Sequence, residues 1–264
     1  MLTSTLFGDP RTGQRLGNQL FQLASLLGMA KHFGTQLSLP PNWKDRHFFV
    51  DAGAVNWSTV IPTKVIEEPS FTCCLPYFES FEREMQNECV DVKGFLQSPH
   101  YWEANEYSVR QVLRFRPFVS EMAAEWISDQ GIDLSNTVAI SVRRGDFLTD
   151  PNHYLLPQSY YAEAYARHFE GMPICFFSDD LNWCMEHLGR LNKHCRFATG
   201  LNGILQLAVM RCFSHFIIAN STFSWWGAYL SGNNQKTIRP LHHFDGPMKL
   251  TDVSDHYPMD WVSM

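Results

Sequence analysis

The feature that most constrains the fold is a regular alternation of short apolar segments and helical patterns between residues 138 and 238. Short apolar runs bounded by turn residues indicate buried strands, and apolar residues at helical spacing indicate the helices between them. Alternation of this kind is typical of βαβ units in a parallel sheet. The predicted strands are Val138–Val142, Ile174–Phe177, Phe216–Ala219 and Thr237–Ile238, with helices near 159–169, 181–191, 202–213 and 223–230.

The first part of the chain opens in a similar way. An apolar segment at Leu2–Phe7 and a glycine-containing loop precede a predicted helix at about 18–33, for which Asn18 is the expected N-cap and Gly34 the closing residue. Strand, glycine loop and helix in this order open a Rossmann-like unit. A further strand is predicted around Leu37 and Leu39.

The region that follows shows weaker patterns. Residues 40–100 carry several prolines and no long helical pattern, which predicts loops and short elements. A helix is predicted at about 104–129, as part of the first half, and the polar stretch Gly131–Asn136 after it is the predicted boundary. The 264 residues therefore divide into two predicted domains, 1–133 and 134–264.

Composition excludes several classes of protein. The 21 Lys and Arg residues against 27 Asp and Glu give a net charge of −6 without any basic run, so nucleic acid is not an expected partner. No stretch reaches the ~20 apolar residues that span a bilayer and no signal-peptide pattern is present, which predicts a cytoplasmic protein. Seven cysteines without a CxxC pair predict mostly buried free thiols rather than disulfides or zinc ligands.

Polar residues follow three of the predicted strands where each strand ends. Because the carboxyl ends of parallel strands meet at one edge of a sheet, where ligands bind, we expect these segments to lie together. They are Arg143-Arg144-Gly145-Asp146, Ser178-Asp179-Asp180 and Asn220-Ser221-Thr222-Phe223-Ser224.

Each segment alone has a structural and a functional interpretation. The two arginines either form a surface ion pair with Asp146 or make a guanidinium fork that grips a phosphate. The acidic segment either caps a helix or accepts hydrogen bonds from a ribose hydroxyl or a guanine edge. The third segment opens a helix whose N–H groups bind an anion, and it also serves as a cap. Together they predict a nucleoside-diphosphate pocket.

Several nucleotide and metal motifs are absent. The chain has no GxxxxGK[ST] loop, which argues against a P-loop enzyme, and no GxGxxG, which argues against nicotinamide or flavin chemistry. It also lacks DxD and HExxH. A departing diphosphate would then be stabilised by arginine and helix N–H groups rather than by a metal.

Six motifs spread along nearly the whole chain also carry a family resemblance. In chain order they are Gly17–Gln22 (GNQLFQ), Gly94–Ser98 (GFLQS), Val142–Phe147 (VRRGDF), His153 with Tyr160-Tyr161, Phe177–Asp180 (FSDD) with Trp183-Cys184, and Ile217–Ala228 (IIANSTFSWWGA). They resemble the motifs of the bacterial α-1,2-fucosyltransferases of glycosyltransferase family eleven. The closing Pro258–Trp261 fits as well, which implies a complete chain.

The resemblance implies an α/β protein of GT-B architecture, in which two Rossmann-like domains face a cleft. The N-terminal domain would hold the acceptor, and the C-terminal domain would bind GDP-fucose, with its tail packed back on the first. The implied reaction is inverting transfer of L-fucose to a galactose-containing oligosaccharide, in α-1,2 linkage to a terminal β-galactoside. No cofactor and no metal is required in this scheme.

The resemblance also assigns residues. Arg143 is implied to contact the β-phosphate, and Trp225 and Trp226 are expected to pack in the core. The implied substrate-binding residues are Gly17, Asn18 and Gln19 facing the cleft from the acceptor side, Asp179 and Asp180 near the nucleoside, and Asn220, Ser221, Thr222, Phe223 and Ser224 along the diphosphate, with Arg144 and Ser178 also among them.

Catalysis in this scheme stabilises the leaving group. Arg143 and the N–H groups of 220–224 would neutralise the charge that develops on GDP. His153 is the candidate general base, since an imidazole takes up a proton near neutral pH, although a loop histidine with no catalytic role is an equal alternative. Asp146 is a second candidate base, but we expect it instead to orient Arg143 or Arg144.

Three departures from the family pattern keep other activities open. Ser141 stands where the family usually has His, and Gln206 stands where it usually has an acidic residue. The loop Phe7–Arg15 is also longer than usual. A different linkage, a different GDP-sugar and a catalytically silent glycan- or nucleotide-binding protein of the same fold are therefore retained as alternatives.

Overall fold

The structure is a computed structural model, and it describes residues 1–12, 14–51, 53–69 and 88–264. The chain divides into two compact units. Unit 1 comprises Met1–Arg116 and Asp252–Pro258, and unit 2 comprises Pro117–Thr251 and Met259–Met264. Each unit is built around a parallel sheet, which confirms the predicted α/β class with two parallel sheets.

Unit 1 contains five described strands in the order β3-β2-β1-β5-β4, all parallel. From β1 the chain passes through helix α1 to β2 on one side, whereas β5 pairs with the other side of β1, so the order reverses between β1 and β5. In an open α/β sheet such a reversal opens a crevice at the carboxyl ends of the strands. The elements are β1 Leu2–Thr3, α1 Leu16–His32, β2 Leu37–Leu39, β3 Asn56–Trp57, β4 Lys64–Glu67, β5 Val90–Lys93 and α2 Glu106–Val112.

Helix α1 starts earlier than the sequence predicts. Its N-cap is Arg15, which makes no side-chain capping bond, so the prediction of Asn18 as N-cap is wrong. The physical reason is burial, because Gly17 already belongs to the buried part of the helix and the first turn is held against the unit. At the other end Gly34 has a φ of +60° and donates its N–H to the carbonyl of Lys31, as a closing glycine does.

Unit 2 contains six described strands in the order β11-β10-β9-β6-β7-β8, again all parallel. Counted from β6 in chain order this is 3-2-1-4-5-6, the order of dinucleotide-binding folds, and it reverses between β6 and β9. The elements are α3 Pro117–Asp129, β6 Val138–Val142, α4 Gln158–His168, β7 Ile174–Ser178, α5 Leu181–His187, β8 Cys195–Phe197, α6 Gly203–Met210, β9 His215–Ile217, α7 Thr222–Tyr229, β10 Lys236–Arg239 and β11 Val262–Ser263.

The predicted helix at 104–129 is two helices in two different units. α2 belongs to unit 1, and α3 begins at Pro117 and packs against α6 in unit 2. Proline fits the first turn of a helix but disfavours helical backbone in the residue before it, so the chain breaks at Arg116. The chain divides into its two compact units at this break, whereas the sequence predicts the division at 133/134. Residues 252–258 of the tail belong to unit 1.

Two further predictions concern thiols and membranes. The five described cysteines are free, but only Cys175 and Cys184 are fully buried, and Cys73 and Cys74 lie outside the described residues. Burial raises the pKa of the Cys175 and Cys184 thiols, which therefore stay protonated at neutral pH. Within the described ranges, no helix has the length and apolar character needed to cross a bilayer.

Candidate functional site

A pocket of about 220 Å³ lies in unit 2, at the carboxyl ends of β6 and β7 and at the start of α7. It adjoins the point where the strand order reverses between β6 and β9. All three predicted polar segments contribute to it. The lining residues are Ser141, Val142, Arg143, Phe177, Ser178, Asp179, Gly203, Gln206, Ser221, Phe223 and Ser224.

Arg143 is the cation of this pocket and is held between two carboxylates. Its Nη1 lies 2.8 Å from Oδ2 of Asp179, and its Nη2 donates to Oδ1 of Asp146. The Arg143 side chain is 19% exposed, and its Cζ lies 5.4 Å from the centre of the Phe147 ring. The direction of the guanidinium is therefore fixed by the protein's own carboxylates.

Arg144 is turned away from the pocket. Its Cζ lies 4.2 Å from the centre of the Trp183 ring, and its Nε lies 3.4 Å from Oδ2 of Asp180. Its backbone N–H donates to Oδ1 of Asp179 at 3.0 Å. Arg144 is among the predicted substrate-binding residues, but the structure places its side chain in a cation–π and ion-pair contact with α5.

The acidic segment caps a helix, as one of its two interpretations predicts, and part of it lines the pocket. Asp180 caps α5, since its Oδ1 accepts from the N–H of Trp183 at 3.1 Å, and Ser178 Oγ accepts from the N–H of Asp180 at 2.9 Å. Ser178 and Asp179 also line the pocket. Asp180 is therefore a capping residue here, while Asp179 faces both the pocket and Arg143.

The segment 220–224 also divides into structural and pocket residues. Asn220 is 2% exposed, and its Nδ2 donates to the carbonyls of Tyr154 and His243 at 2.9 and 2.6 Å, so its amide hydrogens are used within the protein. Ser221 is the N-cap of α7 without a side-chain capping bond. Ser221, Phe223 and Ser224 line the pocket, whereas Thr222 is half-buried beside it.

Both substitutions that depart from the family pattern lie in the same pocket. Ser141 Oγ and Ser224 Oγ are 2.7 Å apart and share a hydrogen bond. Gln206 donates from Nε2 to the carbonyl of Leu201 at 3.2 Å. The start of α7, the end of β6 and helix α6 thus meet at one polar wall that carries no formal charge.

Three lining residues were not predicted. Val142 and Phe177 stand at the ends of predicted strands, so the strand-end rule could have included them. Gly203 starts α6, and a Cβ there would meet no atom within 4 Å. No sequence signal marks it. The two tryptophans of the last motif, Trp225 and Trp226, are fully buried, as expected of core residues.

His153 does not line the pocket, but it contacts the same Phe147 ring as Arg143 does. Its imidazole stacks on Phe147, with ring centres 4.2 Å apart, and Phe147 also underlies the Arg143 guanidinium. His153 Nδ1 is 2.7 Å from Oδ2 of Asp150. The N–H of Asn152 and the His153 ring hold the pKa of Asp150 below its usual range, so an ionised carboxylate orients the imidazole.

The predicted acceptor-side residues belong to the first turn of α1 in unit 1. Gly17 and Gln19 are buried, and Gln19 Oε1 accepts from Trp43 Nε1 at 2.9 Å. Asn18 is half-buried, and its Oδ1 accepts from Gln97 Nε2 at 3.3 Å. The structure therefore joins the GNQLFQ and GFLQS motifs within one unit. In neither unit do the described residues form a group of three or more His, Cys, Asp or Glu side chains that could hold a metal ion.

The motif strings and the fold agree with a comparison against known families. The family model for glycosyl transferase family 11 matches residues 6–264. The chain belongs to glycosyl transferase family 11. The resemblance seen in the sequence is therefore confirmed over nearly the whole chain.

Relatives of this family 11 chain act on related sugars according to their names. Alpha-1,2-colitosyltransferase of Escherichia coli is 27% identical over 210 residues, covering 74% of this chain and 71% of that protein. Galactoside 2-alpha-L-fucosyltransferase of Caenorhabditis elegans is 24% identical over 272 residues, covering 94% of this chain and 76% of that protein. The chain is thus a glycosyltransferase-family member with α-1,2-fucosyl- and colitosyltransferases among its relatives.

Solved structures share the fold at low sequence identity. A crystal structure of NodZ α-1,6-fucosyltransferase soaked with GDP-fucose matches with a TM-score of 0.56 and 12% identity, over 87% of this chain and 91% of that one. A crystal structure of POFUT1 in complex with GDP matches with a TM-score of 0.54 and 15% identity, over 89% and 96%. These matches support the predicted GT-B-like fold.

Proposed function

We propose that the protein transfers L-fucose from GDP-fucose to a terminal β-galactoside of an oligosaccharide, with inversion and in α-1,2 linkage. Membership of family 11 and the names of its relatives support the reaction class. The observation that carries the proposal is the pocket of unit 2, where Arg143 and the start of α7 lie together at the reversal of the sheet. The scheme needs no metal or cofactor, and a cytoplasmic location remains a prediction.

Leaving-group stabilisation is the step that the pocket can perform. As the bond between the anomeric carbon and the β-phosphate oxygen breaks, negative charge develops on GDP. A prefixed guanidinium and the N–H groups that open α7 are donors that need no reorganisation at that moment, and each such donor contributes about 3 kcal/mol in comparable oxyanion sites. Arg143 is therefore assigned to the β-phosphate, with Ser221 and Ser224 beside it.

Proton removal from the acceptor hydroxyl is assigned to His153. Asp150 binds Nδ1, which leaves Nε2 of the same ring to take the proton while the acceptor oxygen bonds to the anomeric carbon from the face opposite GDP. Asp146 contacts Arg143 and is assigned to orienting that guanidinium rather than to acting as the base. Gly17, Asn18 and Gln19 are assigned to the acceptor side.

A second candidate is transfer of colitose instead of fucose. The observation that favours it is the relative named alpha-1,2-colitosyltransferase, which matches 74% of this chain. Colitose is fucose without its 3-hydroxyl group, so the two donors differ in one hydrogen-bonding group. The uncharged wall of Ser141, Ser224 and Gln206 is where a changed donor preference would arise.

The experiment that tests the proposal measures GDP release and sugar transfer from GDP-fucose and GDP-colitose, with lactose or N-acetyllactosamine as acceptor. Reactions run with and without EDTA, and NMR of the product gives the linkage. Acceptor-dependent, EDTA-resistant formation of an α-1,2-fucosyl product is expected, and Arg143→Ala should abolish it while the fold is retained. Donor binding without transfer to a broad acceptor panel would refute the enzyme and leave a silent binding protein.

A further inference from the structure

The GFLQS motif has a place in the fold that the proposed reaction does not yet use. Residues Gly94–Ser98 follow β5, and α1 follows β1, so both segments lie at the carboxyl ends of the two strands between which the sheet of unit 1 reverses. That reversal is the position where open α/β sheets bind ligands. The hydrogen bond from Gln97 to Asn18 joins the two segments there.

The half-buried carboxylate of Glu68 binds this loop. Oε2 of Glu68 accepts from the N–H of Leu96 at 2.9 Å, and Oε1 accepts from the hydroxyl of Tyr101 at 3.1 Å. The N–H of Phe95 also contributes to the carboxylate. Glu68 stands directly after β4, and its own N–H donates to the carbonyl of Lys93 at 2.7 Å, which fixes it beside the end of β5.

The shape of the loop requires this contact. Leu96 has a φ of +52°, in the left-handed region that non-glycine residues rarely adopt, and such strain persists only where surrounding contacts impose it. A Cβ on Gly94 would come within 2.5 Å of Glu68 Cβ, so the loop is packed directly on the carboxylate-bearing side chain. Strained backbone that surrounding contacts hold in place clusters at functional sites.

Hydrogen bonds connect the loop to helix α1. Ser25 Oγ donates to the carbonyl of Leu96 at 2.8 Å, and Gln22 Nε2 donates to the carbonyl of Gly94 at 2.7 Å. Gln97 then donates to Oδ1 of Asn18, which settles which way the Asn18 amide points. A shift in the loop therefore reaches Asn18 through one side chain.

We propose that Glu68 is a positioning residue for acceptor binding, because its carboxylate fixes the Gly94–Ser98 loop and, through Gln97, the orientation of Asn18. The inference rests on the proposed function, in which Asn18 belongs to the acceptor side. It assigns the reversal between β1 and β5 to a sugar acceptor, whose hydroxyl groups pair with amide donors and acceptors of this kind.

The protonation of Glu68 provides a test of this role, because acceptor binding should depend on pH. Burial raises the pKa of Glu68 to about 7. Among the described residues, the titratable side chain that contacts the carboxylate is Tyr101. Lys93 contacts Glu68 through its backbone carbonyl. The ionised carboxylate accepts from both backbone N–H groups and from Tyr101, whereas the protonated form must use one oxygen as a donor. Acceptor binding is therefore expected to strengthen as pH rises through neutrality.

The test compares Glu68→Ala, Glu68→Gln and a matched control, Glu67→Gln, whose side chain is exposed one residue earlier. Steady-state kinetics with GDP-fucose and lactose are measured from about pH 6 to about pH 8.5, across the pKa of Glu68. Glu68→Ala is expected to raise the acceptor KM about tenfold, as loss of a charged hydrogen-bond acceptor implies, with the donor KM unchanged. Glu68→Gln offers one acceptor oxygen and one donor, as the protonated acid does, so its acceptor KM should stay near the parent's low-pH value throughout this pH range.

A second variant guards against misfolding of the alanine protein. Tyr101→Phe keeps the buried ring and removes only the hydroxyl that donates to Glu68, so it should fold while loosening the carboxylate, and it should also raise the acceptor KM alone. Unchanged acceptor KM in Glu68→Ala and Tyr101→Phe, or equal rises in donor and acceptor KM, overturns the inference while the proposed function stands. Absence of transfer by the parent protein overturns both.

Discussion

At the scale of single residues, Asp179 organises the arginine motif. One carboxylate binds the Arg143 guanidinium and the backbone N–H of Arg144, and it lies so close to Gly145 that a Cβ there would meet Oδ2 at 2.3 Å. The three residues after β6 are thus set by a residue that follows β7. This explains why a glycine stands inside a motif of charged side chains.

Replacing Asp179 by Asn is therefore expected to harm the reaction more than replacing Asp180. The amide keeps the shape but loses the charge that fixes Arg143, and hydrogen bonds to charged groups are worth about 1.5–3 kcal/mol, which corresponds to a loss of roughly 10- to 100-fold in kcat/KM. Asp180→Asn retains a good helix cap and should stay near the parent value. Calorimetric titration with GDP alongside the kinetics checks this, and equal effects of the two changes would contradict it.

His153→Ala is expected to lower turnover and leave GDP affinity unchanged, because the imidazole stands outside the pocket proposed to bind the donor. The loss should fall in the typical range for a general base, about 10²- to 10⁴-fold in kcat. The pH–rate profile should change with it, and Asp150→Asn should also lower turnover because it removes the carboxylate that orients the imidazole. A pH–rate profile identical to that of the parent would exclude His153 as the base.

The sequence predicted which residue types lie at the strand ends, but not the direction in which each side chain points. The sequence placed Arg143, Asp179 and Ser224 at one edge, because that follows from strand order alone. It did not show that the Arg144 side chain packs on Trp183, or that the Asn220 amide donates to two loop carbonyls. Those directions depend on packing partners that are remote in the sequence.

At the scale of elements, α1 depends on a glycine within its buried length. A Cβ on Gly28 would lie 2.3 Å from the carbonyl oxygen of Tyr101 and 2.6 Å from the Cα of Trp102. Both are backbone atoms, which cannot move aside as the end of a side chain can. The close approach lets the helix pack directly on the 3₁₀ turns that precede α2.

Gly28→Ala is accordingly expected to destabilise unit 1. Alanine gains about 1 kcal/mol of helix propensity over glycine, but overpacking against backbone costs about 1–3 kcal/mol or more, so the loss wins. Gly232→Ala is the matched control, because Gly232 is exposed and a Cβ there meets no atom within 4 Å. Urea unfolding should show a lower midpoint for Gly28→Ala alone, and an unchanged midpoint would argue against the contact.

Elements with strong local patterns were predictable, and those made by distant pairing were not. The four helices α4 to α7 and the strands β6 and β7 lie within a few residues of the prediction. The edge strands β8 and β11 were missed, because they are short and partly exposed and so show no apolar run. The pairing of β1 with β5 joins residues about 90 positions apart and leaves no local signal.

At the scale of the whole molecule, the two units repeat one plan with different chemistry at the reversal of each sheet. Unit 2 presents an arginine bound by carboxylates, and unit 1 presents amide side chains together with the half-buried Glu68. In the proposed reaction the charged site would bind the diphosphate and the amide site the sugar hydroxyls. Family membership, the two parallel sheets and the separate donor and acceptor halves were expected from the sequence, whereas the contact of Glu68 with the Gly94–Ser98 loop was found only in the structure.

The stability of unit 1 is expected to fall as pH rises through neutrality. Glu68 has a pKa of about 7 in the folded chain against 4.5 unfolded, so between these values the folded state binds the proton more tightly. The free energy of unfolding therefore carries this contribution fully below about pH 4.5 and loses it as pH rises through about 7. Thermal unfolding of the parent and Glu68→Gln across this range checks the sign, because the amide should flatten the dependence.

The two carboxylates around Arg143 also bear on how a reaction cycle ends. Asp146 lies three residues after Arg143 in the chain, and its side chain is 45% exposed. Because Asp146 belongs to the same chain, its effective concentration at the guanidinium stays constant when the concentration of GDP falls. In the proposed reaction, a diphosphate at Arg143 would compete with a partner that is always present. Product release would then be an exchange of one anion for another, and GDP is expected to leave without unfolding any part of the pocket.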